Sequence, residues 1–477
     1  MSRTAFGTAS QPVRFALLKT KLQIPTLRYP TIARPQMVAR LQGEAAVLLL
    51  TAPVGSGKTT LLVEWALWSR DQVAWVTLDE LDNDLNRFLA YLIAAVQGED
   101  ALDGYDDLPL EATMSAVSTA LAHDPLTLVL DNYHVIRNAA IHDAVIFLID
   151  HLPPYSRLII AGRTYPPLPL VRLQVAGQLA QLDDLNFSTD EIAQYLTDDD
   201  AEGRSASDEA ALVLAERTEG WIAGLKLAKL WLKSGADPRG FGAGYRHVYD
   251  YFMQEVFLLQ STLVQNFLLA TAILDPLCAD LCNAVIGVSD SQVMLERLEQ
   301  LNLFIRPMDD VRRHYRYHPL FGDFLRECLN RQGGALDLHV RASIWYEHSG
   351  DLAAAIEHSL GGHDWKRAAG LIERGAGRGM QVDGWLARLP EDVRPAQTML
   401  VEPLSDRETE VLHLISTGMS NPEIARRLII AVSTVKTHVK NIYRKLDVDT
   451  RYEAMQRARE LNLIQLRMEV DFRRLIK

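Results

Sequence analysis

A run of apolar residues, AVLLLTA at 46–52, leads straight into PVGSGK and then into TTLLVEWALW. A short continuous apolar run fits a strand buried on both faces, and the segment after the glycines has helical spacing. Between them Ala52 to Thr59 reads APVGSGKT, which matches the phosphate-cradling loop pattern except that its first glycine is Ala52. The chemistry uses each part. Gly55 and Gly57 let successive backbone N–H groups turn toward phosphate oxygens, Lys58 reaches the β and γ phosphates, and Thr59 offers a hydroxyl to Mg²⁺ at the helix start. The bland alternative is a Gly-Ser turn with a solvated lysine. The order strand, loop, helix favours nucleotide binding over it.

Further apolar strands follow: VAWVTL at 73–78, LTLVLD at 126–131 and RLIIAGR at 157–163. Alternation with helical segments across 46–181 predicts a parallel sheet covered on both faces, a P-loop NTPase core. Asp131 ends the second of these strands, where open α/β sheets gather ligand groups, and is the expected acid on the Mg²⁺ side. Arg163 ends the third. An arginine there either senses a γ-phosphate or pairs with an acid at the surface, and the sequence leaves both open.

The length, 477 residues, suggests about three or four domains. With 49 basic and 61 acidic residues the net charge is −12, yet from Pro403 onward 14 basic residues face ten acids. A +4 tail on a −16 body suggests a polyanion-binding module, although an ordinary solvated surface has the same charge. Cys278, Cys282 and Cys328 form no CxxC pair and read as buried free thiols. No apolar run is long enough to span a membrane, and the first residues lack a basic start with an apolar core, so the expectation is a cytoplasmic protein.

The expected domains are 1–185, the nucleotide-binding sheet with an N-terminal arm; 186–240, helical, with Gly220 and Gly224 as interruptions; 241–335, a small winged-helix unit around RHYRYH; 336–400, a short TPR-like helical repeat; and 401–477, four helices. In the winged-helix segment His318 is ambiguous, since a lone histidine is more often structural than functional. Trp345 and Tyr346 read as core. In the last segment Ser405 to Glu408 is a capping box, Asn421-Pro422-Glu423 starts a second helix with Asn421 as cap, and Thr450 to Glu453 opens a fourth. The third helix, from near Ser433, buries Val435, Val439, Ile442 and Leu446 and shows Lys436, Thr437, Lys440 and Arg444 outward. A plain bundle with a basic face is one reading, and a helix-turn-helix with a major-groove reading helix is the favoured one.

LSDRETEVLHLISTGMSNPEIARRL followed by STVKTHVKNIYRKLDV, 404–448, resembles the DNA-binding domain of LuxR-type transcription regulators. LLKTKLQIP, TAPVGSGKTTLLVEWA, VAWVTLDELDND, LVLDNYHVI, TEGWIAGLKLA and YRYHPLFGDFLR resemble, in order, the large ATP-dependent LuxR regulators of the MalT type, which belong to the signal-transduction ATPases with numerous domains. The resemblance implies an ADP-bound closed monomer that ATP and an inducer convert into an oligomer activating transcription. Its implied partners are double-stranded DNA, further copies of itself and RNA polymerase, with the inducer unidentified. Residue by residue it implies that Gly57, Lys58, Thr59 and Thr60 hold phosphates and Mg²⁺ and that Asp131 supports the metal. It also implies that Arg163 senses the γ-phosphate and that His318 touches phosphates in the resting state. On the reading helix it places base contacts at Lys436, Thr437 and Lys440, with Thr434 near the DNA phosphates.

Three departures carry expectations of their own. Asn132 stands where the family has a second acid that orients or activates water; an amide takes no proton, so ATP binding with weak hydrolysis is expected. The helical sensor is cut to residues 336–400, which puts inducer recognition in question. Ala431 replaces the usual serine before the reading helix, removing a cap worth ~1 kcal/mol unless Ser433 takes over. Two rivals to the ATP-switched regulator stay open: a constitutive DNA binder that uses a degenerate NTPase fold as an oligomerisation scaffold, and a P-loop kinase or NTPase with an incidental helical tail.

Overall fold

The computed structural model describes residues 17–27, 31–69, 71–104, 109–122, 126–197, 208–394, 404–446, 448–460 and 463. It divides into two compact units, 1–334 and 335–477.

The first unit is built on five parallel strands, β1 (Val47–Thr51), β2 (Gln72–Thr77), β3 (Leu126–Asp131), β4 (Arg157–Gly162) and β5 (Leu179–Leu182), in the order β2-β3-β4-β1-β5. Successive side chains leave opposite faces of a strand. Leu49, Val76, Leu128, Leu130 and Ile160 therefore pack under the helices Leu85–Gln97, Leu110–Leu121 and Ala139–Asp150. Leu48, Leu50, Trp75, Val129 and Ile159 pack under Leu61, Leu62 and Trp65 of the helix Lys58–Trp68. Burial on both faces explains why these strands are continuous apolar runs rather than alternating ones. Because β4 lies between β1 and β3, the loop after β1, the acid ending β3 and the arginine after β4 open at one carboxyl edge. The N-terminal arm is fastened by buried Lys21, whose ammonium lies 2.5 Å from Asp82 and 2.7 Å from Asp79.

Beyond the sheet come the helices Thr189–Thr197, Asp208–Thr218 and Ile222–Lys233. Gly220, at φ +78°, breaks between the last two as expected, and a Cβ there would lie 2.3 Å from the Phe187 carbonyl oxygen. Gly224 does not interrupt: it sits inside the helix Ile222–Lys233, where its missing side chain lets the Trp221 ring lie close. A three-stranded antiparallel sheet follows, β6 (Leu277–Cys278), β7 (Ile305–Pro307) and β8 (His314–Tyr317), ordered β6-β8-β7. With the helices Thr262–Thr271, Ala279–Ile286, Ser291–Gln300 and Pro319–Gln332 it makes a winged helix, the wing being the β7–β8 turn. Phe252, Phe304, Phe321 and Phe324 fill its core. Cys282 and Cys328 are buried, Cys278 is half-buried, and all three are free thiols.

The second unit begins with the helices Ala335–Ser349, Leu352–Gly361 and Trp365–Ala376. Tyr346 is buried here and Trp345, edge-on to its ring, is half-buried, so the expectation of a core pair holds fully for the tyrosine and in part for the tryptophan. The C-terminal module has four helices, Asp406–Ser416, Asn421–Leu428, Val432–Leu446 and Arg451–Glu460, around Val411, Leu412, Ile415, Ile424, Val435, Ile442, Leu446, Ala454 and Ala458. Leu461, expected inward on the fourth helix, lies outside the described residues. The Ser405 and Thr450 capping boxes form as the sequence predicts. The second helix is capped one residue earlier than expected: Glu423 accepts the Ser420 amide at 2.7 Å, which makes Asn421 the first helical residue. The reading helix starts at Val432 with Ala431 before it, so Ser433 lies inside the first turn and does not replace the missing cap.

Candidate nucleotide site and reading helix

At the end of β1 the chain turns through Gly55 (φ +72°) and Gly57 (φ +85°), left-handed conformations that glycine adopts without strain, and enters the helix at Lys58. The Lys58 ammonium is folded back onto the carbonyl oxygens of Ala52 (2.8 Å) and Pro53 (2.9 Å). Burial, with Arg163 nearby, lowers its pKa to about 8. Thr59 donates its hydroxyl to the Asp131 carboxylate at 2.8 Å. Burial raises the Asp131 pKa, against the pull of Thr59, the Asn132 amide and Lys58. A hydroxyl and a buried carboxylate are hard oxygen donors, a set that suits Mg²⁺. Together with the glycine cradle and the inward ammonium, they fit a magnesium nucleotide. Gly55, Gly57, Thr59 and Thr60 border a cleft of about 910 Å³ whose far wall includes Leu27, Ile32, Phe187 and Tyr195.

A second layer closes on the loop. The Trp221 indole donates to the Val54 carbonyl at 2.9 Å, and the Ala223 amide donates to the Gly55 carbonyl at 3.1 Å. A Cβ at Gly55 would lie 2.5 Å from both Ala223 and the Tyr251 hydroxyl, so this position has no room for a side chain.

Asn132 follows Asp131 in the left-handed region, φ 62° and ψ 30°, which asparagine tolerates better than most residues. Its amide donates to Asp131 at 2.9 Å. Arg163 lies 3.7 Å from Glu255 of the winged-helix side, so the arginine left open between sensing and pairing is paired with an acid in this arrangement. His318 is buried, its Nε2–H donating to the Thr218 carbonyl at 2.7 Å, with Trp221 and Phe304 edge-on to its ring. Burial, aided by Arg306, Arg316 and Arg217, lowers its pKa to about 4, so it is neutral at pH 7, and its Nδ1 has no hydrogen-bond partner among the described residues. In this arrangement Nε2 serves the turn that carries Trp221.

Sequence reasoning missed His134, in the turn Tyr133–Val135 just after Asp131 and Asn132. Its buried Nδ1 lacks a partner among the described residues, and burial with Arg163 and Lys58 lowers its pKa to about 4, which places an uncharged imidazole among these groups. A polar residue three positions after a strand-end acid was the available signal. Trp221, Tyr251 and Glu255 were also missed: the first two approach the loop from more than 150 residues away, Glu255 meets Arg163 from 92 residues away, and no local pattern marks them.

In the second unit the reading helix exposes Thr434, Lys436, Thr437 and Lys440 and buries Val435 and Ile442. Thr437 donates its hydroxyl to the Ser433 carbonyl at 3.1 Å, so what it offers a partner without breaking that bond is its methyl group. Inside the module Lys445 pairs with Glu408 at 2.7 Å, a more buried ion pair than that of Arg407 with Glu410. Burial pushes the Glu408 carboxyl up, but Lys445 and Ser405 overrule it and hold it at about 2.

Residues 253–336 match the MalT winged helix domain, and residues 402–458 match the bacterial regulatory proteins of the luxR family. The transcriptional regulator MalT of Klebsiella pneumoniae is 32% identical over 379 residues, covering 75% of this chain and 42% of the relative. By these matches the chain carries a MalT-type winged helix domain and a luxR-family domain, and it is similar to MalT over three quarters of its length. The serine/threonine-protein kinase PknK of Mycobacterium tuberculosis is 30% identical over 378 residues, again 75% of this chain but 34% of the relative. This MalT-like chain thus spans well under half the length of these curated relatives. Among solved structures, a signal transduction ATPase with numerous domains from Pyrococcus horikoshii, with a tetratricopeptide repeat sensor, is 12% identical over 92% of this chain and 66% of its own, at a TM-score of 0.33. Cdc6p from Pyrobaculum aerophilum is 14% identical over 63% of this chain and 94% of its own, also at 0.33. No helix among the described residues is long and apolar enough to cross a membrane.

Proposed function

We propose that this MalT-like protein is a cytoplasmic DNA-binding transcription regulator whose bound nucleotide, ATP or ADP with Mg²⁺, controls self-association and thereby promoter binding. The observation that carries the reading is a glycine cradle roofed by Trp221, Ala223 and Tyr251, in one chain with a LuxR-type module whose reading helix exposes Lys436, Thr437 and Lys440. Gly55, Gly57 and Thr60 present backbone to the phosphates, and Lys58 leaves the Ala52 and Pro53 carbonyls to meet them. Thr59 and Asp131 hold the metal, which when bound neutralises phosphate charge. Arg163 answers the third phosphate. Because Trp221 and Ala223 grip the loop itself, a rearrangement of the loop is felt by the helical and winged-helix segments. RNA polymerase is the expected further partner, and the inducer is unidentified.

The full chain should sediment as a monomer with ADP and as an oligomer with a slowly hydrolysed ATP analogue, and the oligomer should select a subset of a LuxR-type operator library. Mass and DNA binding that ignore the nucleotide would sink the switch. Asn132 and the short repeat favour that second reading, in which the NTPase fold is a scaffold for a constitutive DNA binder.

The depressed pKa of Lys58 gives the nucleotide reading a pH signature. Below about 8 the ammonium is charged before binding. Above it the free site is increasingly neutral, phosphate binding must take up a proton, and affinity for ADP falls toward tenfold per pH unit. Titrating ADP between pH 7 and pH 9.5 checks this, and a flat profile contradicts a phosphate contact by Lys58.

A further inference from the structure

The winged-helix side reaches Arg163 from two places: the Asn302 side-chain amide donates to the Arg163 carbonyl at 2.9 Å, and one helical segment meets its guanidinium. Arg246–Phe252 is α-helical and continues into the π-helical turn Met253–Phe257, an irregularity frequent at functional positions. Tyr251 precedes it and Glu255 lies within it. The Tyr251 hydroxyl takes the space a Cβ at Gly55 would need, and the Glu255 carboxylate lies 3.7 Å from the Arg163 guanidinium. Arg163 directly follows β4, which lies between β1 and β3, so it opens at the same carboxyl edge as the glycine loop and Asp131. It therefore stands between the phosphate-site groups and the acid of the winged-helix side.

We infer that Glu255 makes this closed arrangement select a nucleoside diphosphate over a triphosphate by occupying Arg163. The inference deepens the switch reading and rests on Arg163 as the sensor of the third phosphate. A triphosphate needs that guanidinium and must displace Glu255 or forgo the arginine; a diphosphate does neither. Displacement also removes the ion pair between the π-helical turn and the nucleotide-binding sheet, while the Asn302 bond to the Arg163 carbonyl is untouched, so the preference favours opening of the winged-helix side without completing it. Both side chains are partly exposed, 34% for Arg163 and 48% for Glu255, so the pair is screened and biases the site without locking it. Coupling of this kind is worth about three- to tenfold in relative affinity.

The test uses the full chain as wild type, Glu255→Gln, Arg163→Ala and the double variant. Dissociation constants for Mg-ADP and a slowly hydrolysed Mg-ATP analogue are read by displacement of a fluorescent nucleotide. Glu255→Gln should tighten the triphosphate about three- to tenfold with ADP changed less than twofold, and the gain should vanish in the Arg163→Ala background. The retained ADP affinity is also the check that the variant is folded. An equal change for both nucleotides, or a triphosphate gain that persists without Arg163, overturns the role of Glu255 and leaves the switch standing. No nucleotide binding by the wild type overturns both.

Discussion

Replacing Asn132 with aspartate is expected to raise phosphate release by about 10²-fold or more, the range a positioned general base contributes. The substitution changes one amide to a carboxylate at nearly constant shape. The backbone at φ 62° suits aspartate as well as asparagine, so the fold is not taxed. The new carboxylate would follow directly on Asp131, whose pKa burial already raises, and repulsion between two neighbouring acids favours proton uptake by one of them. The wild-type amide takes no proton, which leaves orientation of water as its contribution. If the nucleotide sets the assembly state, faster hydrolysis should also shorten the life of the ATP-driven oligomer. Single-turnover phosphate release followed beside sedimentation reads both. An unchanged rate in a variant that still binds ATP would show that the missing acid is not what limits hydrolysis.

Legibility in the sequence followed the range of the interactions. β1, β3 and β4, the glycine turn and the Ser405 and Thr450 caps each depend on residues within a few positions of one another, and each appears where the residues place it. The cap of the second C-terminal helix slipped by one residue because Ser420 and Asn421 are both good caps, and Glu423 is at the right spacing to answer the first. Gly224 was misread as a break because local propensity cannot see that Trp221 needs its missing side chain. The roof over the loop was invisible for the same reason at larger scale. Trp221 to Val54 spans 167 residues, and His318 to Thr218 spans 100. His318 shows the limit most clearly: its position singled it out, but its neutral state and its bond to the turn before Trp221 follow from tertiary burial.

Truncating Lys440 to alanine should weaken binding to the preferred operator by about 1–3 kcal/mol and relax preference at one base pair, the expected loss for a direct base contact. Its side chain is exposed, on the side of the reading helix away from Val435 and Ile442, so the module's core should be untouched. Lys436 lies one turn earlier, about 6 Å along the helix axis. That rise exceeds the 3.4 Å between successive base pairs, so a helix lying along the groove would bring the two lysines to different pairs. Lys436→Ala should therefore relax a different position, and the double variant should relax both with roughly additive losses. Thr437 between them, its hydroxyl held by Ser433, should discriminate through its methyl, so Thr437→Val should keep most of the affinity where Thr437→Ser loses it. Selection from randomised duplexes gives the preference at each position, and titration at several salt concentrations separates the two kinds of contact. If Lys440 touches a phosphate instead, every sequence loses affinity equally and the slope of log K against log salt falls by about 1. That result would move the reading of bases elsewhere on the helix.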